Sequence, residues 1–288
     1  MCRLFGLLTS DATPAEPWLV HTNRSLLAQS HASPETAQPD GWGIGWFSPE
    51  GRPHVIKGVK GAFEPGERER FEQAAHEAAP PLVIGHLRHA SNPMRLPPSE
   101  LTGLPNSQPF ESHTALFAHN GAIPFPRETR PYLGVYEKEV KGVNDSEVLF
   151  WLLVRNVREI SDPLRGYVRT VEDLARVHKE LGRPDVPAFS GLNVLFAPSP
   201  SELWVFCLWT GDHGTGLLDK GRRYYEMTYR ATPHAVVVGS EPFDGEGARW
   251  TTLGSGRYLH AVREHGRVEV TVARIPIPEA LVLLPAPA

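Results

Sequence analysis

Long apolar runs, cysteine and an excess of charge of either sign are what this chain of 288 residues has least of. The opening apolar run, Leu4 to Leu8, gives way to Asp11 and is too short for a secretory leader core or for the ~20 residues a membrane span needs. The two cysteines, Cys2 and Cys207, cannot build a disulfide framework and fit a reducing compartment, so a cytoplasmic location is the expectation. Lys plus Arg number 29 against 33 Asp plus Glu, and the net charge of -4 offers no field to gather nucleic acid or anionic lipid. The expected partner is therefore a small neutral or zwitterionic molecule, with no nucleic acid and no membrane. No fixed-period repeat or low-complexity block is present, which excludes solenoids, collagen and coiled coils. With 41% hydrophobic and 22% charged residues the composition is that of a folded globular chain.

What is abundant is punctuation: 28 Pro and 26 Gly promise many turns and rigid connections. Between them, short apolar or alternating runs predict strands over 2–9, 42–48, 54–57, 81–89, 115–119, 192–196, 203–209, 235–239, 258–264 and 267–275. Helical periodicity predicts helices over 18–30, 67–78, 146–160 and 168–181, the third with Asn144 as N-cap and Glu147 at the N3 spacing. Strand clusters separated by helix pairs, without strict βαβ alternation, predict an α+β layered sandwich, with one domain over 1–275 and a Pro-rich tail over 276–288. Two irregular stretches, 92–112 and 123–143, are longer than connections usually run and are expected to be substrate-site loops.

The chemistry begins at Cys2. If Met1 is removed, as a small following side chain permits, one residue carries both a thiol and a free α-amine, whose pKa of ~7.7–8.0 lets it act as base near neutral pH. The competing reading of Cys2 is a small buried apolar residue on the first strand. Period-2 alternation puts Leu82, Ile84, His86 and Arg88 on one strand face, with a guanidinium at the strand's end that can hold a carboxylate with two parallel hydrogen bonds. Its bland reading is a surface ion pair. Asn120 and Gly121 close the run Phe117-Ala118-His119 and could form an oxyanion hole, or an ordinary Asn-Gly turn. Asp145 opens a helix, where an acid is favoured by the macrodipole; alternatively it accepts hydrogen bonds from a substrate ammonium and completes a clamp with Arg88. His86 and His119, on the same strand ends, are expected to contact substrate too. His86, His89, His113 and His119 fall close together, but no His-Glu-x-x-His or cysteine pair closes a metal site, and no metal is expected. Gly41, Gly43 and Gly45 read as a tight turn into a packed strand, and Cys207 reads as core.

Taken together these pieces resemble the class II glutamine amidotransferases, which belong to the N-terminal-nucleophile hydrolases. The resemblance is carried by Met1-Cys2-Arg3-Leu4-Phe5-Gly6, Asp40-Gly41-Trp42-Gly43-Ile44-Gly45, Gly85-His86-Leu87-Arg88-His89-Ala90-Ser91, Asn106-Ser107-Gln108-Pro109-Phe110, His119-Asn120-Gly121 and Asn144-Asp145-Ser146-Glu147, in the family's order, and by Gly239-Ser240-Glu241-Pro242 followed by Trp250. It implies an α-β-β-α sandwich and no cofactor. It further implies Cys2 as nucleophile, Asn120 and Gly121 as oxyanion hole, Arg88 on the glutamine α-carboxylate and Asp145 on its α-amino group. The reaction implied is hydrolysis of the amide of glutamine or a γ-glutamyl compound through a Cys2 thioester, releasing ammonia or an amine. The alternative is a non-catalytic subunit that binds a γ-glutamyl ligand and regulates a partner enzyme, which retention of Met1 would favour. Arg3-Leu4 stands where the large biosynthetic members have Gly-Ile, and in this the chain is similar to small stand-alone members such as the ergothioneine-pathway amidohydrolase. Productive use of ammonia would then require a separate ammonia-accepting synthase subunit.

Overall fold

The computed structural model of the chain describes residues 2–11, 13–92, 94–245 and 249–278; Met1 and residues 279–288 of the expected tail lie outside the described residues. In chain order the elements are β1 (Arg3–Thr9), α1 (Leu26–Gln29), β2 (Trp42–Phe47), β3 (Pro53–Gly58), α2 (Glu67–Glu77), β4 (Leu82–Leu87), α3 (Pro98–Leu101), β5 (Phe110–Glu111) and β6 (Leu116–Ala122). There follow α4 (Pro126–Thr129), α5 (Asp145–Ile160), α6 (Pro163–Leu181), β7 (Gly191–Ser199), β8 (Glu202–Cys207), β9 (Met227–Ala231), β10 (Ala235–Gly239), β11 (Thr251–Leu253), β12 (Arg257–Glu264) and β13 (Arg267–Arg274).

Alternation along the strands separates the layers. In β1, Leu4 and Leu8 enter one core while Phe5 and Leu7 enter another, as opposite faces of a strand must. The strands form two antiparallel sheets, one ordered β11-β9-β10-β1-β4-β2-β3 and the other β13-β12-β8-β7-β6-β5. Between them lies an apolar layer built from Leu4, Leu8, Leu82 and Ile84 of the first sheet and Leu116, Ala118, Leu195 and Val205 of the second. The outer face of the first sheet packs Trp42, Ile44 and Val83 under Leu26 of α1 and Phe71 of α2. The outer face of the second packs Phe117, Val194 and Phe206 under Phe150 of α5 and Tyr167 of α6, whose ring lies flat on Phe206 with centroids 3.9 Å apart. Burying each large apolar side chain contributes about 1.5–3 kcal/mol, which is what holds helices, sheets and helices in this order. The result is the α+β, α-β-β-α sandwich that the sequence led us to expect.

The differences have local causes. The helix expected over 18–30 is broken into a π-helical turn, Pro17–His21, and the short α1, because the chain turns extended at Thr22 before Ser25 caps the second piece. The helix expected from 168 begins earlier, at Pro163, where Asp162 accepts from the Arg165 N–H at 3.0 Å; Gly166 is needed because a Cβ there would meet Val157 of α5. Asn144 does cap α5. Glu147, however, turns its carboxylate to the N–H groups of Lys141 and Gly142, at 2.9 and 2.7 Å, rather than to the cap, and so folds the preceding loop onto the helix. β5, β9 and β11 are two to five residues long, too short for their alternation to stand out. Among the described residues no helix is long and apolar enough to cross a membrane.

Candidate active site

The same alternation that sorts the cores delivers polar side chains to one end of the gap between the sheets. Arg3 pairs with Leu87 and Leu4 with His86, so continuing the antiparallel register sets Cys2 opposite Arg88, on the face that carries Leu4 and Ile84 into the inter-sheet layer. From the other sheet β6 sends Leu116 and Ala118 into that layer and then Asn120. The N-terminus of α5 adds Asp145. Cys2, Arg88, Gly121 and Asp145 line one cavity together with Gln108 and Asn144. Its free volume is about 20 Å³, enough for a single water. Ser91, Met94, Leu101 and Val143 line it as well. Two larger grooves, of about 880 and 850 Å³, run along the outer side of α5 and do not include Cys2.

The Cys2 thiol lies 3.6 Å from the His89 carbonyl oxygen. Burial pushes its pKa up, while the nearby Arg88 guanidinium pulls it down. The thiol thus rests protonated, and any nucleophilic step needs a base at hand. The Cys2 carbonyl accepts from Arg3 Nε at 2.9 Å and from the Tyr224 hydroxyl at 3.1 Å.

Arg88 is only 4% exposed, so it is not a surface ion pair. Its Nη1 donates to the Asp40 carbonyl at 3.1 Å and its own N–H to the Gly41 carbonyl at 2.8 Å, while the Asp40 carboxylate accepts from Ala90 N at 2.7 Å. The Asp40-Gly41 turn therefore fixes the strand end from which the guanidinium reaches the cavity. Asp145 accepts from the Ile123 N–H at 2.9 Å. Burial raises its pKa to about 6, against the pull of backbone N–H groups and Arg88. It has both properties weighed from sequence: it opens a helix, and it faces the cavity.

Asn120 and Gly121 lie inside β6, not in a hairpin turn. Both amide atoms of Asn120 are buried and, among the described residues, without a hydrogen-bond partner, a state that is rare unless a ligand or water completes it. Gly121 has φ +156, and a Cβ there would fall on the Gly191 carbonyl of the neighbouring strand. The strand is held from below by Gln108, whose side chain accepts from His119 N at 2.6 Å and donates to His119 O at 3.2 Å. Gly43 leaves the space that the Gln108 carbonyl occupies. The loop 92–112 is tied to the start of α5 by Asn106, which accepts from the Val143 N–H at 2.8 Å and, through its carbonyl, from Asn144 Nδ2 at 2.7 Å.

His86 and His119, expected at the substrate, are not among the residues lining the cavity. The His119 ring is turned toward α5, between Ser146 Oγ at 2.9 Å and the Gly191 carbonyl at 3.0 Å; the carbonyl requires Nε2–H, and burial lowers the pKa to about 4, so the ring is a neutral brace. His86 is fully buried between the sheets with neither ring nitrogen partnered among the described residues, and burial lowers its pKa to about 3. Among the described residues no three His, Cys, Asp or Glu side chains converge as metal ligands. Cys207 is core, donating to the Leu253 carbonyl at 3.2 Å. Tyr224 carries no local signal of its role, since it lies 222 residues from the carbonyl it contacts.

A family model described as class II glutamine amidotransferases matches residues 1–280. Among solved structures the chain is similar to a glutamine aminotransferase class-II domain protein from Silicibacter pomeroyi, with 18% identity, 95% of this chain and 99% of that chain covered, and a TM-score of 0.63. It is also similar to the glutamine phosphoribosylpyrophosphate amidotransferase from B. subtilis, with 18% identity, 96% of this chain covered and a TM-score of 0.60; it spans 50% of that chain. At these identities the likeness is one of fold. No curated protein matches.

Proposed function

The chain belongs to the class II glutamine amidotransferases, and on that premise we propose that it hydrolyses the side-chain amide of glutamine or of another γ-glutamyl compound through a thioester at Cys2. The observation that carries the reading is the convergence of Cys2, Arg88, Gly121 and Asp145 on one cavity, together with a buried Asn120 amide that has no partner among the described residues. Arg88 and Asp145 offer opposite charges to the carboxylate and ammonium that every γ-glutamyl compound carries. Removal of Met1 provides the α-amine of Cys2 as the base that the protonated thiol requires. The thiolate attacks the amide carbon, and the oxyanion is held by Asn120 Nδ2 and the Gly121 N–H. The leaving nitrogen takes a proton from the α-ammonium and departs as ammonia or an amine. Water, deprotonated by the same α-amine, then hydrolyses the thioester to glutamate and free Cys2.

The direct test is ammonia release from glutamine by the purified chain, with Cys2→Ser as control. Turnover lost by orders of magnitude in the variant supports the reading, because a hydroxyl is far less acidic than a thiol. Near-normal turnover in Cys2→Ser would remove Cys2 from the chemistry.

A further inference from the structure

Two features of the chain have no part in the steps above: Arg3, which follows the nucleophile, and the segment Gly239-Ser240-Glu241-Pro242. The fold brings them together. Arg3 is fully buried; its Nε donates to the Cys2 carbonyl at 2.9 Å, its Nη1 lies 3.3 Å from Glu241 Oε1, and its guanidinium sits 4.0 Å from the centroid of the Tyr224 ring. The Tyr224 hydroxyl donates to the same Cys2 carbonyl at 3.1 Å. Glu241 is itself buried and accepts from the N–H groups of Leu217, Leu218 and Asp219 as well as pairing with Arg24 at 3.4 Å. Backbone bonds from Gly216 to Arg222 and from Tyr224 to Gly214 tie that loop to Tyr224. One carboxylate therefore fixes both the cation and the loop from which the two donors reach the Cys2 carbonyl.

The geometry has a consequence for the nucleophile. With Met1 removed, Cys2 is joined to the fold through its carbonyl side alone, and rotation about its Cα–C bond swings thiol and amine together. Two donors converging on the carbonyl oxygen fix the peptide plane from which both reactive groups hang. We infer that Arg3 and Tyr224, held by Glu241, are positioning residues that aim the Cys2 thiol and amine. The inference rests on the amidotransferase reading of the site, to which it adds residues that touch no substrate atom.

Tyr224→Phe removes one donor and keeps the ring beneath the guanidinium; Arg3→Lys keeps a cation for Glu241 and removes the Nε–H donor. In the full chain, turnover of glutamine and inactivation by the analogue 6-diazo-5-oxo-norleucine are measured together with thermal stability. Because a misplacement of about 1 Å can slow a reaction ~10²-fold, each single variant is expected to lower kcat and kinact ~10-fold and the double variant ~10²-fold, with KM and KI within about threefold of wild type. Tyr224→Phe should retain the wild-type melting temperature within a few degrees. A double variant with kinact within twofold of wild type overturns the inference, as does a loss carried by KM and KI; if Arg3→Lys fails to fold, an unchanged kinact in Tyr224→Phe overturns it alone. Wild-type protein inert to the analogue, to glutamine and to γ-glutamyl peptides would instead overturn the amidotransferase reading, and this inference with it.

Discussion

Asn120 and Asn193 stand opposite each other in the β6–β7 register, and the two amides have opposite fates. Asn193 donates to the Tyr225 carbonyl at 2.7 Å and accepts from Leu208 N at 3.1 Å, so its side chain is fully engaged in holding β7 to its neighbours. Asn120, equally buried, has no partner among the described residues for either amide atom. An unpartnered buried amide is unfavourable by about 1–3 kcal/mol, and under the proposed mechanism the substrate oxyanion supplies the missing partner.

The pair therefore gives a paired prediction. Asn120→Ala is expected to lower kcat ~10²–10³-fold while leaving the melting temperature unchanged or higher. Asn193→Ala should do the reverse, lowering stability by about 1–3 kcal/mol through orphaned backbone groups with a smaller effect on kcat. Kinetics and thermal denaturation of both variants check it; a stability loss confined to Asn120→Ala would make that residue structural.

Arg88→Lys keeps a positive charge in the cavity and loses the planar fork. Weaker glutamine binding is expected, with KM rising tenfold or more, since an ammonium cannot hold a carboxylate with two parallel bonds. An unchanged KM would take Arg88 out of the substrate site.

Asp145 must be ionised to hold an ammonium, and burial puts its pKa near 6. Binding of glutamine to the Cys2→Ser variant, followed by calorimetry, should weaken as pH falls through about 6, approaching tenfold per pH unit below it. Asp145→Asn should bind weakly and without that dependence. A flat profile in the Cys2→Ser protein would assign the ammonium to another group.

Stability should carry the imprint of His86 and Asp145 with opposite signs. A histidine with a pKa of about 3 in the folded chain and ~6.5 unfolded binds its proton only on unfolding between those values, so stability is lost as pH falls through that window, by about 1.4 kcal/mol per pH unit. Asp145, raised to about 6 by burial, binds its proton first in the folded state, so its contribution falls as pH rises from ~4 to about 6. His86→Leu should therefore flatten the acid limb of denaturant-measured stability, and Asp145→Asn should steepen it. Parallel limbs in wild type and His86→Leu would contradict the buried, neutral ring.

Much of this site can be read from the one-dimensional pattern because sheets translate spacing into direction. Leu82, Ile84, His86 and Arg88 share a face by parity, and the parity that buries Leu4 also aims Cys2 at the same end of the inter-sheet gap. Parity does not say how far the last side chain reaches. His86 and His119 carry the right chemistry on the right strands, but one ends between the sheets and the other turns to Ser146 on α5. The helix expected over 18–30 fails for a local reason, the extended backbone at Thr22, which periodicity does not register. Glu241 lies 238 residues from Arg3. Nothing local to either marks the pair, which exists because β10 lies beside β1 and carries the chain past the nucleophile.

The proposed function stands or falls with Cys2 as an N-terminal nucleophile, freed of Met1, in a γ-glutamyl site. Its most direct test is the intact mass of the purified protein before and after incubation with 6-diazo-5-oxo-norleucine, followed by peptide mapping. The account predicts a starting mass short by one methionine and a single adduct on Cys2 that excess glutamine protects against. A retained Met1, with no adduct at Cys2, would contradict it.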